Sequence, residues 1–123
     1  MCYESIVRQC QGLSRTHRGK TVCIIADEKH EAINCGIEGL YRDKNTGQIV
    51  LFSAESVALN GANETGLTGG FLYIARTNEK GDFEQNFETH HARELAGLGV
   101  KQVCLVSENP VFLSIEDFLE RES

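Results

Sequence analysis

Apolar and polar positions near the N-terminus follow the spacing of an amphipathic helix. The apolar positions on its predicted buried side are Tyr3, Ile6, Val7, Cys10 and Leu13. Side chains three and four residues apart lie on one face of a helix, so this spacing predicts a single element with one buried stripe. Gly12 weakens the last predicted turn, and Gly19 ends the segment.

Further along the chain, the pattern changes to that of strands. Continuous apolar runs, which predict strands buried on both faces, occur at 20–26, 69–76 and 100–106. Two other segments alternate between apolar and polar residues, as a half-buried strand does, and these are 33–41 and 82–88.

The alternating segments also predict which side chains point inward. In the first segment the predicted inward positions are Ile33, Cys35, Ile37 and Tyr41, with Asn34 and Glu38 on the other face. The turn DKNTG at 43–47 and the run QIVLFS that follows make this segment the first strand of a hairpin. In the second segment Phe83 and Phe87 point inward.

Two shorter helices are predicted in the C-terminal part. Thr89 is the N-cap of the first, and Ser114 precedes the second with Asp117 three residues on. Residues 1–123 therefore predict a single α+β domain. We expect a mostly antiparallel or mixed sheet of five to six strands, with the helices on one face.

Composition and charge narrow the classes of function. The net charge is −6, so the chain repels phosphate backbones, and we expect no nucleic-acid partner. We expect no signal peptide, no membrane span and no membrane partner, and thus a cytoplasmic location. There are five cysteines without a CxxC pair, and Cys10, Cys23, Cys35 and Cys104 lie in apolar patterns. This predicts buried, reduced thiols.

A glycine-rich stretch comes close to a nucleotide-binding loop. In GANETGLT the two glycines Gly61 and Gly66 and Thr68 have Walker A spacing, but Leu67 stands where the lysine is required. A strand-like run follows in place of the helix whose N-terminus would face the phosphates. We interpret residues 60–70 as a turn, and we expect no cofactor.

The acidic strand at 82–88 carries the strongest hypothesis for an enzyme. Its even positions line one face, and two histidines follow directly. In a metal-dependent hydrolase the catalytic candidates are Glu84, Glu88, His90 and His91, and the metal ligands are Asp82, Glu84, Glu88 and His91. The competing interpretation is an ordinary solvated sheet face, and it is the one we favour.

The leading hypothesis is a small accessory protein that binds a small molecule or a protein through a pocket or an interface. The predicted ligand-binding wall consists of the aromatic residues Tyr41, Phe52, Phe71 and Tyr73. The alternatives are the hydrolase above and an inhibitor or immunity-type module with an acidic surface suited to a basic partner. A basic N-terminal segment, an acidic C-terminal segment and amphipathic terminal helices further predict a homodimer.

Overall fold

The structure is a computed structural model that describes residues 2–52, 54, 57–58, 70–84 and 99–122. Its helices are α1 (Cys2–Thr16) and α2 (Ile115–Glu122). Its strands are β1 (Thr21–Ala26), β2 (Ala32–Ile37), β3 (Gly39–Arg42), β4 (Ile49–Phe52), β5 (Phe71–Arg76), β6 (Gln102–Leu105) and β7 (Val111–Ser114). The fold class is α+β, as predicted. The helix predicted after Thr89 lies outside the described residues.

The strands form two separate sheets. The main sheet has the order β2-β1-β5-β6-β7, and β3 pairs with β4 in a two-stranded sheet. The neighbours β5 and β6 are parallel, whereas the other three pairs of the main sheet are antiparallel. The sheet is therefore mixed.

The central strands β1 and β5 of the main sheet are buried on both faces. One face packs against α1, and its core residues are Ile6, Val7, Cys10, Val22, Ile24, Ala26, Tyr73, Ala75, Cys104 and Val106. The opposite face forms a second core of Cys23, Ile25, Ala54, Ala58, Leu72, Ile74, Val100, Val103 and Ile115. Neighbouring residues of β1 alternate between the two cores, as the period of a strand requires. Because Ile115 begins α2, the expectation that the helices share one face was wrong.

Several predicted boundaries are confirmed by local hydrogen bonds. The helix α1 extends past Gly12 to Thr16, and Gly19 then takes a φ of 78° that suits glycine. At the C-terminal helix, the amide of Asp117 donates to the hydroxyl of Ser114 over 3.2 Å, which is the N-cap the sequence predicted.

The predicted strand 33–41 is divided into two. The ladder between β1 and β2 ends where Glu38 turns back to β1: its amide donates to the carbonyl of Thr21, and its carboxylate accepts from the amide of Thr21. Gly39 then begins β3 in the other sheet. The side chain of Glu38 thus ends β2 by binding the backbone of β1. The alternation of apolar and polar residues continues past Glu38, so the sequence pattern did not predict this strand end.

Candidate functional site

The hairpin of β3 and β4 is the part of the described chain with the most exposed apolar surface. Seven large apolar side chains are exposed among the described residues, and five of them belong to this hairpin: Leu40, Tyr41, Ile49, Val50 and Leu51. A contiguous exposed apolar patch marks an interaction surface far more often than scattered single residues do.

The turn of the hairpin is closed by local hydrogen bonds. The amide of Asp43 donates to Gln48 over 2.7 Å, and the amide of Gly47 donates back to Asp43 over 2.8 Å. The Asp43 carboxylate accepts from the amide of Asn45. Gly47 has a φ of 73°, a conformation that glycine adopts without cost. The turn predicted at 43–47 is confirmed, and it determines which residues face each other across the strands.

The two faces of the hairpin differ in exposure. Direct partners share a face, so one face carries Tyr41, Val50 and Phe52, with the Tyr41 and Phe52 rings 6.1 Å apart. The Tyr41 hydroxyl donates to the carbonyl of Ile37 over 2.7 Å, which ties this face to the end of β2.

The opposite face, which we call the outer face, consists of Leu40, Arg42, Ile49 and Leu51. The exposed fractions of Leu40, Ile49 and Leu51 are 72%, 65% and 66%. The solvent-exposed face of a sheet ordinarily carries polar side chains, because polar and apolar residues alternate along each strand. On the outer face of this hairpin, three of the four side chains are instead large and aliphatic. The apolar run IVLF on β4 is the feature of the sequence that indicates an apolar outer face, because four consecutive apolar residues place apolar side chains on both faces of a strand.

The tip of the outer face carries basic side chains. Arg42 and Lys44 are exposed, and the Asp43 carboxylate between them accepts a hydrogen bond within the turn. The Arg42 guanidinium donates to the carbonyl of Gly47 over 3.3 Å, which holds it at the tip end of the hairpin. A basic rim on a chain with a net charge of −6 favours contact with an acidic surface.

The four residues of the predicted ligand-binding wall belong to two different sheets. Tyr41 and Phe52 lie on the hairpin, whereas Phe71 and Tyr73 lie on β5. Phe71 stacks on the ring of His30 at 4.2 Å between centroids, and the Tyr73 hydroxyl lies 2.7 Å from Nδ1 of His30. Tyr73 is fully buried. The structure therefore joins two of these residues to His30, which was not among the predicted site residues.

His30 occupies an unusual backbone position in the turn between β1 and β2. Its φ is 61°, in the left-handed region where glycine is favoured. Its amide donates to the carbonyl of Asp27, and the Asp27 carboxylate accepts from the amides of Lys29 and Glu31. A histidine in this conformation costs free energy, and its contacts with Phe71 and Tyr73 offset that cost.

Two of the residues proposed for a hydrolase are described, and they lie in different surroundings. Asp82 lines an open cavity of about 250 Å³ with Phe83, Ser107, Glu108 and Asn109. Glu84 instead binds Arg76, with 3.1 Å between the carboxylate and Nε.

The remaining hydrolase candidates, Glu88, His90 and His91, lie outside the described residues, so the hydrolase stays a prediction. Within residues 2–52, 54, 57–58, 70–84 and 99–122, no three His, Cys, Asp or Glu side chains form a group that could hold a metal ion. The glycine-rich residues 60–69 also lie outside the described part.

The predicted burial of the thiols is confirmed for three of the four cysteines and is wrong for Cys35. Cys10, Cys23 and Cys104 are buried free thiols, but Cys35 is exposed. Cys35 lies opposite Ile24 on the edge strand β2, whereas α1 covers β1 and β5. Burial raises the pKa of the Cys104 thiol to about 12, and burial and the neighbouring Cys104 raise the pKa of Cys10 further.

Comparisons with known proteins add no family to this description. The chain matches no protein-family model and no curated protein significantly. Among the helices of the described residues, none has the length and apolar character needed to cross a membrane.

Proposed function

We propose that this protein is a small binding protein that contacts another protein chain through the outer face of its hairpin, rather than an enzyme. The observation that carries this proposal is the exposure of Leu40, Ile49 and Leu51, each about two-thirds exposed on one face. These side chains lie side by side, because Leu40 and Leu51 are direct partners across the strands.

The energetics favour a covered hairpin. A two-stranded hairpin by itself is marginal in water, and complete burial of one leucine or isoleucine side chain is worth roughly 1.5–3 kcal/mol. Since about two-thirds of each of the three side chains is exposed, a partner that covers them gains on the order of 3–6 kcal/mol of hydrophobic free energy. A gain of this size can provide much of the affinity of a modest protein complex.

The basic rim specifies the chemistry of the partner. Arg42 and Lys44 lie at the tip end of the apolar side chains, so the surface they fit is apolar in its centre and acidic at the edge that faces the tip. The inhibitor or immunity-type alternative predicted a basic partner for an acidic surface. The proposed interface instead predicts a partner whose surface is acidic. A cytoplasmic location is part of the proposal, and the free thiols of Cys10, Cys23, Cys35 and Cys104 are consistent with it.

The interface is favoured over a pocket for a small molecule. The aromatic residues of the predicted pocket divide between the two sheets, and Tyr73 has no surface to offer a ligand because it is fully buried. Ligand pockets instead concentrate apolar walls and polar groups around one concavity.

Photo-crosslinking at one position of the hairpin tests the proposal. A photo-reactive amino acid replaces Leu40 in the full chain, and the matched control replaces Lys80, an exposed residue of the turn after β5. We expect adducts with protein from position 40 and not from position 80. Changing Arg42→Glu in the same chain should lower the yield, because it reverses the rim charge. Equal yields at both positions, or none at position 40, would contradict the proposal.

A further inference from the structure

We infer that the edge strand β2 binds an extended segment of another protein, which adds a further strand to the main sheet. β2 lies at one end of the strand order β2-β1-β5-β6-β7, and among the described residues no strand pairs with the side of β2 that faces away from β1. We call the backbone groups on that side the β2 edge. The β2 edge is separate from the outer face of the hairpin, so this inference goes beyond the proposed function.

The register between β1 and β2 shows which backbone groups of β2 are already used. In an antiparallel ladder, opposite residues alternate between pairs that exchange hydrogen bonds and pairs that do not. The amide of Glu38 donates to the carbonyl of Thr21 over 3.0 Å, so this pair is a hydrogen-bonded one. Counting in steps of two along the regular part of the ladder, Gly36 and Asn34 also direct their N–H and C=O groups to β1.

The backbone groups of Cys35 and Ile37 therefore point away from β1 and form the β2 edge. An independent contact supports this assignment, because the carbonyl of Ile37 accepts from the Tyr41 hydroxyl of the hairpin over 2.7 Å. Cys35 is exposed, and no group of the described residues bonds to its outward N–H and C=O or to the N–H of Ile37. These groups remain available to a partner.

The arrangement of these groups specifies the occupant. Residues two apart on a strand present their outward groups about 6.8 Å apart, and this repeat matches the backbone of another extended chain. A helix cannot fill the same role, because its own backbone groups are bonded within the helix. The β2 edge therefore selects an extended peptide segment, which gains main-chain hydrogen bonds by lying along it.

The sequence of β2 lacks the features that usually protect an edge strand. Natural edges are blocked by charged side chains, by proline or by a bulge. β2 reads AINCGI, with neither charge nor proline, and its irregular register lies at the end near Ala32, beyond Cys35. By contrast, the other edge strand β7 follows Pro110 directly and runs into α2. Because few main-chain bonds are offered, we expect a dissociation constant in the micromolar range.

A library of random nine-residue peptides displayed on phage and selected on the full chain is the probe for this inference. The enriched peptide is synthesised, and its affinity is measured by fluorescence anisotropy. Cys35→Pro should raise the dissociation constant by about 10-fold, because it removes an outward N–H at a position where an edge strand tolerates proline. The matched control Cys35→Ser keeps the N–H and should bind like the native chain. Methylation of the peptide's own amides should weaken binding at alternate residues only, as the period of a strand requires.

Hydrogen exchange keeps the inference testable if Cys35→Pro does not fold, which circular dichroism will show. In the native chain, the bound peptide should slow exchange of the Cys35 amide, and it should leave the Gly36 amide unchanged because that group already bonds to β1.

The failures of this inference and of the proposed function are distinguishable. Absence of any enriched peptide, or a peptide that binds with no protection of the Cys35 amide, overturns the inference. A peptide that is lost in Leu40→Ser but retained in Cys35→Pro also overturns it, and this result leaves the outer face of the hairpin as the binding surface. A dimer of the chain that Cys35→Pro dissociates would make a second copy the occupant, which contradicts the inference as well.

Discussion

Replacing Gly36 with alanine should destabilise the fold at one defined contact. Gly36 lies on β2 opposite Cys23, and a Cβ placed there would overlap the carbonyl oxygen of Ala54 and lie 2.8 Å from the amide nitrogen of Ala58. Both obstacles are backbone atoms, so no side-chain rotation removes the clash. The segment with Ala54 and Ala58 must therefore move away from the sheet.

The cost of that movement follows from the contacts that hold the segment. The Cys23 thiol donates to the carbonyl of Ala54 over 3.1 Å, and the Asn34 amide group donates to the carbonyl of Ala58 over 3.1 Å. Overpacking costs about 1–3 kcal/mol, and weakening these two hydrogen bonds adds roughly 1 kcal/mol. We expect Gly36→Ala to lower the free energy of unfolding by about 2–4 kcal/mol.

Urea denaturation followed by circular dichroism measures this loss. A loss of that size lowers the midpoint by roughly 1–2 M. The matched control is Gly12→Ala, because Gly12 is exposed on α1 and a Cβ there meets no atom within 4 Å. Alanine in a helix interior should raise stability by about 0.5–1 kcal/mol. A midpoint shift in the same direction for both variants, or an unchanged midpoint for Gly36→Ala, would show that no backbone clash arises at Gly36.

Four other predictions test further parts of the structure. His30→Ala should lose about 1 kcal/mol more than His30→Gly in thermal melts, because both remove the imidazole contacts but only glycine accepts the left-handed backbone; equal losses would contradict strain at this position. In the native protein, iodoacetamide should label Cys35 and spare Cys10 and Cys104, as intact mass will show; early labelling of the buried thiols would contradict their burial. Stability should fall as the pH rises from 9.0 towards about 12, because the unfolded chain releases the Cys104 proton at the lower pH and the folded chain retains it; Cys104→Ala should flatten this slope. Mn²⁺ or Zn²⁺ should not raise the melting temperature, and a clear rise that is lost on substitution within 82–91 would favour the hydrolase.

Local signals predicted a large part of the fold. The stripe of α1, the run of β1, the turn at 43–47 and the cap at Ser114 all depend on residues that are near in sequence, and the structure confirms each of them. Such elements are encoded by spacing and by a few capping side chains.

Features set by distant residues were not predicted. The end of β2 depends on Glu38 meeting Thr21 across the sheet, and the exposure of Cys35 depends on β2 being an edge strand that α1 does not cover. The candidate site was predicted only as a hairpin. Its exposed side chains could be assigned to a face once the pairing of Leu40 with Leu51 was established.

The base of the hairpin is held by groups of the main sheet, and this bears on how the proposed interface works. The Arg76 guanidinium lies 2.7 Å from the Glu38 carboxylate, which also accepts from the amide of Thr21. On the hairpin itself, the Tyr41 hydroxyl donates to the carbonyl of Ile37. These bonds connect the residues directly before and within β3 to β1, β2 and β5, so they limit the directions that the outer face can take before a partner binds. Association then costs less ordering of the chain, and a small apolar face can give useful affinity.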